Sequence, residues 1–150
     1  MAKLNFVNSV SINELRKMIP LVASELTVVI QSEPGCGKTS LLSMIAEDNG
    51  NLDEALQLAQ GARAKLPESA DVNDTIGWIY YKKNMAPQAI AALKESVDRS
   101  PRNPLFHYHL GLAYVQRGDR ARARASFEEA LRLGSSFPGA DDARRQLGTL

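Results

Sequence analysis

Eight residues near the front of the chain, SEPGCGKT from Ser32 to Thr39, have types and spacing suited to chemistry. They nearly fit the pattern G-x-x-x-x-G-K-[ST]. In that loop, backbone N–H groups wrap phosphates, the lysine meets the outer ones and the hydroxyl holds magnesium. Gly37, Lys38 and Thr39 match, and Gly35 adds a further glycine. Ser32 replaces the first glycine, and its side chain opposes the backbone angles of the tight turn. The candidate nucleotide-binding residues are therefore Gly35, Cys36, Gly37, Lys38, Thr39 and Ser40.

The elements around this loop are helix, strand and helix. Ser11 and Glu14 in SINEL form a capping-box pattern that starts a helix. LTVVI, Leu26–Ile30, reads as a strand covered on both faces, and KTSLLSMIAED reads as the helix that the loop opens. EPGCGKTSLL resembles the phosphate-binding loop of AAA+ ATPases. That resemblance implies Lys38 on phosphate and Thr39 on a metal, with Mg-ATP as the ligand. Hydrolysis would further need an acidic residue ending a second apolar strand and a residue sensing the outer phosphate. No such strand follows, and Asp141–Asp142 comes after SSFPGA, which is not a strand. Catalytic residues are not expected, no cofactor is required, and the loop reads as a remnant. Other reactive types carry little: Cys36 has no base beside it, and His107 and His109, two apart on a helix, face different sides.

From about Asn49 the texture changes to alanine-rich helix with a fixed period. Gly50, Asn84 and Gly118 are 34 residues apart, as are Ala55, Ala89 and Ala123. Gly77 and Gly111, Tyr80 and Tyr114, Ile76 and Leu110, and Pro67 and Pro101 keep the same step. Each column has a physical task. The first set tolerates the left-handed turn that ends a helix. Mid-helix glycine costs about 1 kcal/mol against alanine, which makes sense if a neighbouring helix approaches there, the alanines being its small residues. The tyrosines fill space between helices, and the prolines end each second helix. TIGWIYY has strand-like composition, but Val72, Ile76, Ile79 and Tyr80 keep helical spacing, so it is expected to be helix.

IGWIYYKKNMAPQAIAALKESVDRSP and LGLAYVQRGDRARARASFEEALRLG resemble the tetratricopeptide repeat (TPR), a helix–turn–helix unit of this period. The expected fold is mainly all-α: a TPR α-solenoid of about two and a half repeats plus a capping helix, preceded by the short α/β phosphate-loop segment. Its divisions are residues 1–48, a half repeat at 49–69, repeats at 70–103 and 104–137, and a capping helix at 138–150. The junction near Asp48–Asn51 is where two unrelated pieces would meet, as a fusion, a truncation or an engineered join. Asn73 and His107 stand where the family's early tryptophan is usual.

Such repeats bind extended peptides or helices on the inner face of their first helices. The resemblance places Asp71, Asp74, Trp78, Tyr81 and Lys82 there in one unit, and Leu105, Tyr108, Leu112, Val115 and Gln116 in the next. Asp74, Trp78 and Leu112 stand where chaperone-binding members carry basic carboxylate-clamp residues, which favours a mixed apolar and polar ligand over an acidic tail. The expected function is a non-catalytic scaffold for a protein or peptide partner. The alternative is an ATP-binding protein without hydrolysis of its own. A net charge of +1 in 150 residues gives no general attraction to nucleic acid or anionic membrane. RGDRARARASFEEALR reads as a solvated face with i, i+4 pairing. One cysteine, no signal-like N-terminus and no long apolar span point to the cytoplasm.

Overall fold

A computed structural model of the chain describes residues 52–150, which lie within one compact unit. Six helices follow one another: α1 (Leu52–Lys65), α2 (Ala70–Lys82), α3 (Ala86–Arg99), α4 (Pro104–Arg117), α5 (Arg120–Leu133) and α6 (Ala140–Thr149). The starts of α2 and α4, and of α3 and α5, are each 34 residues apart, so the sequence period is a structural period. The described architecture is an all-α solenoid of stacked hairpins, and TIGWIYY is helical throughout. The phosphate-loop residues Gly35–Ser40, the strand LTVVI and the junction at Asp48–Asn51 lie outside the described residues.

Local chemistry sets the helix ends. Ser69 caps α2 by accepting the Val72 N–H at 3.4 Å, and Asn103 caps α4 by accepting the Leu105 N–H at 3.0 Å. Asp119 does the same for α5, accepting the Arg122 N–H at 3.1 Å. Between the helices of each hairpin the chain turns through a left-handed residue, Asn84 at φ 57° and Gly118 at φ 83°. The Met85 N–H then donates to the Tyr80 carbonyl, and the Asp119 N–H to that of Tyr114, both at 2.9 Å. These equivalent bonds satisfy carbonyls that the helix end leaves open.

Packing follows the predicted columns with one change of partner. Ala55, Ala89 and Ala123 are all fully buried. A Cβ at Gly77, however, would meet Leu93 (its Cδ2 at 2.8 Å, its backbone N at 3.1 Å). One at Gly111 would meet the ring of Phe127 at 2.5 Å. The residues that fill the glycine notches are thus Leu93 and Phe127, themselves 34 apart and one turn beyond the alanines. A large side chain needs the gap that a missing Cβ leaves, whereas alanine against alanine needs none. One core cluster joins Ala55, Ala59, Val72, Ile76, Ile79 and Ala92. A second runs from Ala89 and Leu93 through Leu110 and Phe127 to Ala143, and Tyr80 packs against both.

Candidate functional site

The first helices of consecutive hairpins, α2 and α4, lie side by side, and α6 extends the series. Three polar links tie them at nearly one repeat's separation. His109 Nδ1 donates to Asp74 Oδ1 at 2.8 Å, with Oδ2 at 3.1 Å. Gln116 Nε2 donates to the Tyr81 carbonyl at 3.0 Å and to Asn84 Oδ1 at 2.9 Å. The Tyr108 hydroxyl donates to Asp142 Oδ2 at 3.0 Å. Because Nδ1 of His109 faces a carboxylate, that nitrogen carries the proton.

Trp78 sits above the first link. Its ring stacks on His109 with centroids 4.4 Å apart and on Tyr81 at 5.1 Å, while Lys82 Nζ lies 5.0 Å from its centroid. An ammonium at that distance is attracted by the negative face of the indole. Trp78 therefore packs on the following repeat through His109, and it remains only half-buried.

The predicted surface residues divide in two. Trp78, Tyr81, Leu105, Tyr108, Val115 and Gln116 are partly exposed, and Asp71 and Lys82 are exposed. Asp74 and Leu112 are corrections. Asp74 is 0% exposed, because its carboxylate is drawn down to His109, and Leu112 is 7% exposed within the second core cluster. Neither presents a group to a ligand. Tyr108 also packs at the start of α6: its ring lies 5.9 Å from Phe137 and fills the space a Cβ at Gly139 would need, where a φ of 98° favours glycine as well.

The titrations of this face follow its burial. Burial pushes the Tyr108 phenol well up, helped by its hydrogen bond to Asp142 and that residue's charge. Burial also raises Tyr81, with the Asp142 charge adding to it. At Asp142 burial alone would raise the carboxyl, but hydrogen bonds from Arg145, Tyr108 and Gln146 together hold it below the usual range. Both phenols therefore stay neutral donors at physiological pH, and Asp142 stays an anion.

His109 is the buried partner of Asp74 and Trp78 that composition did not reveal. Its 35-residue offset from Asp74 was the available signal, since that offset joins neighbouring first helices. Among the described residues, no group of three or more His, Cys, Asp or Glu is placed to hold a metal ion. None of the described helices is long and apolar enough to cross a membrane. The described face carries the partly exposed rings of Trp78, Tyr81 and Tyr108 and the exposed Lys82 ammonium.

The family model described as tetratricopeptide repeat matches residues 75–141 and 110–150. The chain is 32% identical over 125 residues to the "BBSome complex member BBS4 homolog" of Drosophila melanogaster. That alignment covers 81% of this chain and 25% of the relative, so the chain spans about a quarter of that protein's length. Among solved structures, it superposes on the Yersinia enterocolitica type III secretion chaperone SycD in complex with a peptide of the translocator YopD. The TM-score is 0.66 at 16% identity, covering 74% of this chain and 87% of that one. PcrH, a Pseudomonas aeruginosa protein, in complex with the chaperone binding region of PopD gives 0.65 at 20% identity, covering 75% and 87%. The repeat period, the glycine notches, the left-handed turns and these matches agree: the chain belongs to the tetratricopeptide repeat family.

Proposed function

We propose that the chain is a non-catalytic scaffold that holds a peptide or helix of a partner protein along the exposed face of α2 and α4. The carrying observation is the Trp78–Tyr81–Lys82 cluster, a half-exposed indole steadied from below by His109 and flanked by a phenol and an ammonium. Residues of this kind dominate binding hot spots when a partner covers them. Leu105, Tyr108, Val115 and Gln116 would extend the contact along α4, and Asp71 would mark its other end. SycD and PcrH, which share this fold, have been solved with segments of YopD and PopD. That supports a peptide ligand without naming this chain's own. The Gly35–Ser40 loop lies outside the described residues, so the proposal rests on the repeat face alone.

Peptides selected from a random display library on the wild-type protein should lose affinity about 30-fold or more for Trp78→Ala, a hot-spot loss of at least about 2 kcal/mol. Helicity should be unchanged. Selected peptides that bind Trp78→Ala as tightly as wild type would refute the assignment of this face.

A further inference from the structure

Among the described residues, carboxylates answer six of the ten arginines: Arg63 pairs with Glu95, Arg99 with Glu68, Arg122 with Asp119, Arg132 with Glu129, Arg144 with Asp141 and Arg145 with Asp142. Arg102, exposed and without a described carboxylate partner, stands on its own, whereas Arg117, Arg120 and Arg124 fall in one short stretch. All three are exposed, and among the described residues no side-chain hydrogen bond or ion pair holds them. They gather where α4 turns into α5. Arg117 is in the last turn of α4, Arg120 opens α5, and Arg124 lies one turn further along the same flank. The i, i+4 pairing expected of this stretch is absent, since its ion pairs are the i, i+3 pairs Asp119–Arg122 and Glu129–Arg132. Asp119, the one carboxylate from Arg117 to Arg124, is already occupied by the α5 cap and by Arg122, whose guanidinium also leans over Tyr114 at 5.9 Å.

Helix dipoles account for Arg117, in the last turn of α4, but not for Arg120, which opens α5 at the positive end of its dipole, where a cation is unfavourable. One repeat earlier the corner is built differently. There Lys83 pairs with Asp53, and Ala86 and Ile90 occupy the places of Arg120 and Arg124.

We propose that this arginine corner is a second docking site, separate from the α2–α4 face, for an acidic segment of a partner protein. Guanidinium groups match carboxylates in a two-pronged fork, and unanswered positive charge in a small area selects a short run of Asp or Glu. A nucleic acid fits less well. Its phosphates continue past any short site, and Glu128 and Glu129 close off the basic stretch within one turn of Arg124.

Fluorescein-labelled decaglutamate, titrated at physiological salt, tests the site. An oligothymidylate and phosphatidylserine vesicles serve as parallel probes. Decaglutamate should bind the wild type, and the triple variant R117Q/R120Q/R124Q should weaken it about tenfold or more while keeping its far-UV spectrum and cooperative melt. The control K94Q/R102Q/R144Q, with the same loss of charge elsewhere, and Trp78→Ala should bind like wild type. Three results would overturn the proposal: no decaglutamate binding by the wild type, equal weakening by both triple variants, or preference for the oligonucleotide or the vesicles.

Discussion

Asn73 is fully buried on α2, and neither its side-chain nitrogen nor its oxygen has a hydrogen-bond partner. An amide left so costs about 1–3 kcal/mol. Replacing it with a near-isosteric apolar residue, Asn73→Leu, should therefore stabilise the protein by about 1 kcal/mol or more, read as a higher urea midpoint at unchanged slope. A lowered midpoint would mean that the amide is satisfied. The sequence showed that Asn73 stood where the repeat usually has tryptophan, but a substitution alone does not tell a solvated amide from an orphaned one. His109 was opaque for the same reason. A histidine's environment is set by what crosses to it, and Asp74 and Trp78 come from another helix. Lys82 and Tyr81, assigned to the first-helix face by the family resemblance, keep some exposure.

Glycine at different helix positions shows what register decides at the scale of elements. Gly61 lies inside α1 with nothing within 4 Å of a Cβ, whereas Gly111 lies where a Cβ would press on the buried ring of Phe127. Gly61→Ala should raise stability by about 0.5–1 kcal/mol, through helix propensity alone. Gly111→Ala gains the same propensity but overpacks a ring that cannot withdraw, which costs about 1–3 kcal/mol, so its net effect should be destabilising. Thermal melts of the two variants should move in opposite directions, and movement in the same direction would contradict the notch assignment. The 34-residue columns made the helices and their turns legible, including TIGWIYY, where the buried Ile76 and Ile79 show tertiary packing prevailing over strand propensity. They did not reveal which side chain fills each notch. Period locates a gap, but only the angle between two helices decides that Leu93 and Phe127 enter it.

At the scale of the molecule, residues 52–150 form a stack in which each first helix is tied to the next through Asp74–His109, Tyr81–Gln116 and Tyr108–Asp142. The ties fix the spacing of side chains along one face, so a partner docked on α2 and α4, as proposed, would meet a preorganised surface with less ordering cost on binding. The solenoid class was readable from the period together with the resemblance to the tetratricopeptide repeat. Which of the face's residues are open to a ligand was not, because Asp74 and Leu112 carry the right register and still point into packed neighbours. Trp78 is the chain's single tryptophan, so its emission reports on this face without interference. The most direct measurement is that emission during titration with a peptide selected on the wild-type protein. We predict a saturable shift in wavelength and intensity at the same midpoint as binding measured by calorimetry. A peptide that binds in the calorimeter while Trp78 emission stays unchanged would contradict the account.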